Sequence, residues 1–404
     1  YKSAVKMENN FENSLKLFLI PMRVVGTHPE IPINLNWFIL YSLTYGPFTI
    51  LAIIIIYNSY LNATNDDFSE ACKNGILSLT YFGASLNNII MLWYRDSIKN
   101  LLDMMKNDYK MAAGLPRDEQ LIFQEYVSKK TLVCKVWLIL FTVSCSLFSV
   151  KAILLMVYYA IIGEPRLVHL YDLVYPDFIE SRKENLSMYL VIYFFIFSYG
   201  VYAGFVFMSF LPLGPVLMLH ACGHLEITKK RIETLFTSNT KDVNEKLNDI
   251  VKLLQYTYNF VETVKECFKV FYEATLKLSA LALPVTFYAL LDGLQHGEFS
   301  LEFSSFILSG IALSSAPCYY SDLLLEKGRE VSLALYTCGW EQEYNRRARS
   351  TILLLLIRSS RPIAMQTMFA TLCLIALTEM FQQAYTIFNL INSVQNSINE
   401  IKYG

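Results

Sequence analysis

Seven long apolar runs dominate this chain: Trp37–Leu61, Gly75–Tyr94, Leu132–Ile162, Ser187–Leu219, Cys267–Leu291, Leu301–Leu325 and Pro362–Val394. A helix needs about 20 mostly apolar residues to cross a bilayer, because every backbone N–H and C=O must be satisfied within the segment. A chain carrying seven such runs has one economical solution, an all-α polytopic membrane protein with seven transmembrane helices. Composition agrees. Charged residues make up 17% of the 404 residues, against about 25% in soluble domains, and the mean hydropathy is +0.35. The net charge of −1 gives no global field for a nucleic-acid partner. Residues 1–30 are mixed polar, so the first run is expected to serve as both signal and anchor.

Lys and Arg counts set the orientation. Residues 1–36, 95–135, 220–265 and 325–361 together hold 26 basic residues, against 4 in the alternate segments 62–74, 163–186 and 292–300. The positive-inside rule puts the first set in the cytoplasm, and with it the N-terminus. An odd number of spans then leaves the C-terminus outside. Both Asn-x-Ser/Thr sequons, at Asn62 and Asn185, fall in segments assigned to the outside, where glycosylation is expected. The expected organisation is a cytoplasmic N-terminal segment (1–36), six spans with their cytoplasmic extensions (37–325), cytoplasmic anchor helices (326–361), the seventh helix (362–394) and an outer tail (395–404). Apolar residues at helical spacing across 225–266 predict cytoplasmic helices, broken at Asn239 to Asp242.

Catalytic signatures are missing. The sequence has no Gly-rich phosphate loop and no nucleophile elbow, and its eight cysteines form no CxxC pair, so neither an enzyme nor a cofactor is expected. His220 and His224 stand four apart, a spacing that suits two ligands on one helix face. No third ligand accompanies them in sequence, so no metal is expected and the pair reads as helix-end histidines.

Polar residues inside spans carry more information. In the last run Glu379, Gln382, Thr386, Asn389 and Ser393 recur at three- and four-residue spacing and share one helix face. Such a stripe must meet water or another protein group, so pore lining and polar packing between helices both stay open. Lys151, inside the third run, reads as a snorkelling or lumen-facing lysine, with a ligand contact or an ion pair as the rival readings. Glu273 and Lys277 are spaced to pair with each other. Aromatic and small polar residues gather in the outer halves of several spans and suit an enclosed site for a small apolar molecule, or ordinary helix packing.

The segment Leu335–Leu390 resembles the C-terminal signature of insect odorant receptors. It holds Tyr336-Thr337-Cys338-Gly339-Trp340, the basic Arg346, Arg347 and Arg349, the apolar Ile352–Ile357, then Arg358-Ser359-Ser360-Arg361-Pro362, and closes on Tyr385-Thr386-Ile387-Phe388-Asn389-Leu390. Two departures stand out: Gln255-Tyr256 where that family often has a His, and a tail that continues through 395–404. The resemblance implies a subunit of an odorant-gated, non-selective cation channel in the plasma membrane of sensory neurons. A shared co-receptor subunit would complete a heterotetramer, with membrane lipids and permeant cations as further partners. It also implies a pore around the last helix, with Leu390 and Val394 at an apolar constriction beside Gln382, Thr386, Asn389 and Ser393. The small volatile organic ligand would sit in the outer half of the bundle, which here offers Ser78, Tyr81, Phe82, Val150, Lys151, Leu154, Tyr158, Tyr193, Phe197, Phe303 and Phe306.

Two rivals differ in class or assembly. A gustatory-type receptor would conduct as a homomer. A G-protein-coupled receptor would place its N-terminus outside and carry Asp-Arg-Tyr after the third span and Asn-Pro-x-x-Tyr in the seventh. Here the third span ends at Ile162-Gly163-Glu164, and Pro362 opens the last run without that motif.

Overall fold

The computed structural model describes residues 15–403, except 66, 165, 172, 237–242, 298, 299 and 362; the side chains of 396–403 are also outside the description. Among the described residues it is helical, apart from turns and one isolated bridge between Gln366 and Thr371. A helical segment over residues 15–25 (α1) is followed by α2 (Leu35–Thr64), α3 (Phe68–Trp93), α4 (Arg95–Met111), α5 (Arg117–Ile162) and the short α6 (Asp177–Glu180). Then come α7 (Leu186–Phe210), α8 (Leu213–Glu233), α9 (Val243–Gln295), α10 (Leu301–Thr337), α11 (Arg346–Ser359) and α12 (Leu374–Tyr403). Six stretches are long and apolar enough to cross a membrane, α7 and α8 counting as one, and α12 follows the sixth.

Several helices outrun the bilayer. At 1.5 Å per residue, the 46 residues of α5 and the 53 of α9 reach about 70 and 80 Å, against a hydrocarbon core of about 30 Å. The surplus lies at the end where sequence analysis puts the cytoplasm. There α1, α4, α5, α8, α9, α10 and α11 pack one large core. Leu15, Phe18 and Met22, at three- and four-residue spacing, are fully buried in it. Gly26, at φ +81°, ends α1, and its carbonyl accepts a hydrogen bond from Trp37 Nε1 at 2.7 Å. Ion pairs clasp the same layer: Arg231 donates twice to Glu119, at 2.9 and 2.7 Å, and Lys327 and Lys229 reach Glu226 and Glu330. Toward the other end α2, α3 and α7 form a second core with the loop residues Leu173 and Tyr175. Asn58 holds that loop by exchanging hydrogen bonds with the Val174 backbone at 2.9 and 2.7 Å. Along the spans Ile39, Leu43, Ile50, Ile53, Ile139 and Leu308 remain exposed, as lipid-facing side chains must.

The structure departs from the expected boundaries in three places. The run Ser187–Leu219 is two helices, since Leu211 and Pro212 form a turn between α7 and α8. The seventh helix begins at Leu374 rather than Pro362. Thr367 Oγ1 accepts from the Phe369 and Ala370 N–H groups at 3.4 and 3.1 Å, fixing a turn in competition with helix over 363–373. The helix also continues past Val394 to Tyr403, a stretch without Gly or Pro to stop it. The break expected at Asn239 to Asp242 lies outside the described residues. The Glu273–Lys277 pair forms, at 3.1 Å.

Candidate ligand cavity and pore-facing helix

Small residues leave a space where α3, α5, α7, α9 and α10 meet. Gly83, Gly204 and Gly310 let the helices approach, and the cavity between them has a volume of about 210 Å³. The fit at Gly204 is tight: a Cβ there would lie 2.9 Å from Cys145 Sγ. The lining is mostly apolar and aromatic. Phe148 stands edge-on to Tyr171 and Phe306, with centroids 5.0 and 5.8 Å away. Phe141 stacks on Phe207 at 5.7 Å. Leu170 and Tyr171, from the segment between α5 and α7, close one side.

The polar lining is sparse and mostly occupied. Ser144 and Ser309 bond each other at 3.0 Å, Cys145 Sγ donates to the Gly200 carbonyl, and Thr286 bonds back to Ala282. Asn87 differs. It lines the cavity and is 1% exposed, and neither its Oδ1 nor its Nδ2 has a hydrogen-bond partner among the described residues. A buried amide with neither end bonded costs about 1–3 kcal/mol per unmet group.

Of the residues sequence analysis offered for the ligand, Phe197 and Phe306 line this cavity. Phe303 is buried behind it, 6.3 Å from both Phe148 and Phe306. Ser78 is buried and bonded to the Asn74 carbonyl. Tyr81 belongs to a neighbouring aromatic group with Tyr45 and Phe48. Tyr193 stacks in a column with Tyr189 and Phe197. Phe82, Val150, Leu154 and Tyr158 point outward, 45–63% exposed. The snorkelling reading of Lys151 gives way to an ion pair: its ammonium meets the buried carboxylate of Glu302, at the start of α10. Sequence reasoning missed Asn87, Phe148 and Tyr171, because no local pattern tells which face of α3 or α5 a cavity will adjoin.

On α12, Met380, Ala384, Phe388 and Ile391 form the packed face. Phe388 meets Phe287 at 5.4 Å, and with Ile391 it joins a small core made with Cys72, Ile76 and Tyr288. The opposite face carries Gln382, Thr386, Asn389 and Ser393, all exposed, and Leu390 and Val394 lie on its flank, 63% and 51% exposed. One chain therefore leaves this stripe exposed at its surface. The start of the helix is fixed to α10, where Asp322 Oδ2 accepts from the Leu374 N–H at 3.0 Å, a favourable place for negative charge. Of the two sequon residues, Asn62 is half-buried in the last turn of α2, and Asn185 is exposed and caps α7.

The two histidines are not loose helix ends. His220 and His224 of α8 turn inward onto Asp108 of α4, whose Oδ2 lies 2.8 and 3.0 Å from their Nε2 atoms and 2.7 Å from the Tyr256 hydroxyl. Burial pushes the Asp108 carboxyl up, but the bonds from both histidines outweigh it and hold the group well below the usual carboxylate range. Buried Lys130 lies 3.3 Å from His220 Nδ1.

Fold and cavity together define a polytopic helical membrane protein with an apolar cavity between the helices of its bundle. The family model described as 7tm odorant receptor matches residues 67–385, and the chain belongs to the odorant receptor family. Two solved structures have the same fold. The insect olfactory receptor OR5 from Machilis hrabei superposes with a TM-score of 0.77 at 17% identity, covering 96% of this chain and 99% of its own. The same receptor in complex with eugenol superposes at 0.78, with the same identity and coverage. Curated protein sequences gave no match.

Proposed function

We propose that this receptor is a subunit of an odorant-gated, non-selective cation channel, opened by a small volatile organic molecule held in the cavity between α3, α5, α7, α9 and α10. The observation that carries the reading is the uncovered face of α12, where Thr386 and Ser393 run beside Leu390 and Val394. Water or another subunit is the natural partner of such a stripe, and neighbouring copies around an axis supply both. The apolar pair then forms a ring that gates by dewetting. The resemblance to the family supports a shared co-receptor as the partner, in the plasma membrane of sensory neurons. Residues 326–361 would belong to the cytoplasmic anchor and α12 to the pore.

The ligand favours the open state by its differential affinity for it. Apolar and aromatic contacts supply most of the binding, and Asn87 adds one polar contact. That amide favours an oxygenated odorant, an alcohol or phenol above all, whose hydroxyl both donates and accepts. The eugenol complex of Machilis hrabei OR5 supports this ligand class by analogy. Whole-cell recording with and without the co-receptor, over a panel of oxygenated and hydrocarbon odorants, tests the reading. Odorant-evoked cation current that needs both subunits is expected. Current from this chain alone would favour the homomeric, gustatory-type alternative, and no current from either would overturn the proposal.

A further inference from the structure

The channel reading leaves one buried polar cluster unused. His220 and His224 stand one turn apart on α8 and direct their Nε2 atoms at the same Oδ2 of Asp108, which arrives from α4. All three residues are buried, at 2%, 8% and 5% exposure. Hydrogen bonding accounts poorly for this arrangement. A carboxylate oxygen offers about two lone pairs, yet Oδ2 is approached by both imidazoles and by the Tyr256 hydroxyl at 2.7 Å. The two Nε2 atoms also lie only 3.2 Å from each other. If both carry protons, two N–H groups crowd together on one acceptor.

We propose that Asp108, His220 and His224 form a binding site for a divalent transition-metal ion, zinc by preference. The three ligand atoms make a triangle with edges of 2.8, 3.0 and 3.2 Å. The circle through them has a radius of about 1.7 Å, so one point about 1 Å above their plane lies about 2.0–2.1 Å from all three, the ordinary Zn–N and Zn–O distance. An ideal tetrahedron at that bond length has edges of about 3.3 Å, so the ion needs the ligands to open by only a few tenths of an ångström. Two imidazoles and a carboxylate suit zinc or cobalt better than calcium or magnesium, which prefer oxygen shells. The remaining position falls to water or to Tyr256. Lys130 faces the Nδ1 side of His220, across the ring from the apex where the ion sits. A bound ion would tie α4 to α8 at the end of the bundle where basic residues concentrate, replacing three competing hydrogen bonds with three coordinate bonds. The site is independent of the cavity and of α12.

The test uses full-length receptor purified in detergent, stripped with a chelator and titrated with Co²⁺, then with Zn²⁺ in competition. The wild type should take up one equivalent per chain, with the visible absorption of tetrahedral Co²⁺ bleached by Zn²⁺. His220→Gln and His224→Gln should each weaken uptake at least tenfold, while His296→Gln, a distant exposed histidine, should not. A folded wild type without a Co²⁺ spectrum at excess metal would overturn the site, as would uptake by both variants equal to that of the wild type. Should the variants fail to fold, X-ray absorption on the zinc-loaded wild type still decides. Two imidazoles and a carboxylate oxygen at about 2.0–2.1 Å support the assignment, and a sulfur-dominated shell, pointing to the buried cysteines instead, refutes it.

Discussion

Asn87→Leu is the sharpest probe of the cavity, because the substitution keeps the number and branching of side-chain heavy atoms while removing two unpaired polar groups. The native amide is 1% exposed and finds no protein partner among the described residues. A hydrocarbon filling the chamber leaves it unbonded, at a cost of about 1–3 kcal/mol. A hydroxylated ligand of the same size bonds to it and avoids that cost. The wild-type receptor should therefore prefer an alcohol over its matched hydrocarbon by about 5- to 150-fold, since about 1.4 kcal/mol is a factor of ten. In the Leu variant the preference should collapse, with the alcohol losing potency and the hydrocarbon gaining it. The assay is a pair of concentration–response curves for each receptor, co-expressed with the proposed co-receptor and read as whole-cell current. An unchanged potency ratio would refute the role of the amide, and an equal loss for both ligands would mean that the substitution damages packing instead.

Other consequences follow from particular contacts. Gly204→Ala places a Cβ 2.9 Å from Cys145 Sγ and should destabilise the receptor by about 1–3 kcal/mol. Cys145→Ala should rescue it in the double variant, as measured by thermal denaturation, and a simple sum of the two single effects would contradict the contact. Asp322→Ala removes the carboxylate that accepts from the Leu374 N–H; a loss of about 1 kcal/mol is expected, and an unaltered melting midpoint would count against this capping role. Leu390→Ala or Val394→Ala should raise resting current or alter permeation, and wild-type behaviour in both would argue against an apolar gate there.

The spans were legible because lipid imposes a one-dimensional rule. Trp37–Leu61 lies within α2, and Gly75–Tyr94 within α3 but for its last residue, although α3 starts seven residues earlier, since long apolar runs have few alternatives in a bilayer. The start of the last helix was not legible, because the turn around Thr367 is fixed by one side-chain hydroxyl in a segment that hydropathy reads as uniformly apolar. The α12 stripe was legible from its spacing, and the exposed face carries the residues that spacing put together. The cavity was not. Glycines at 83, 204 and 310 mark close helix approaches only after the helices are paired, and Lys151 found its counter-charge on Glu302, 151 residues away. The histidine pair failed for the same reason. Its third partner, Asp108, lies 112 residues from His220, and proximity of that kind is a property of packing.

Water on the exposed face of α12 can be measured directly by cysteine accessibility. Thr386→Cys, Ser393→Cys and, as the packed-face control, Ala384→Cys are introduced singly, and a charged thiol reagent is applied outside during odorant-evoked current. A pore-lining stripe predicts rapid block at 386 and 393 and none at 384, with faster block when the channel is open. Equal insensitivity at all three positions, in channels that still conduct, would mean that ions pass elsewhere and that this helix does not line the pore.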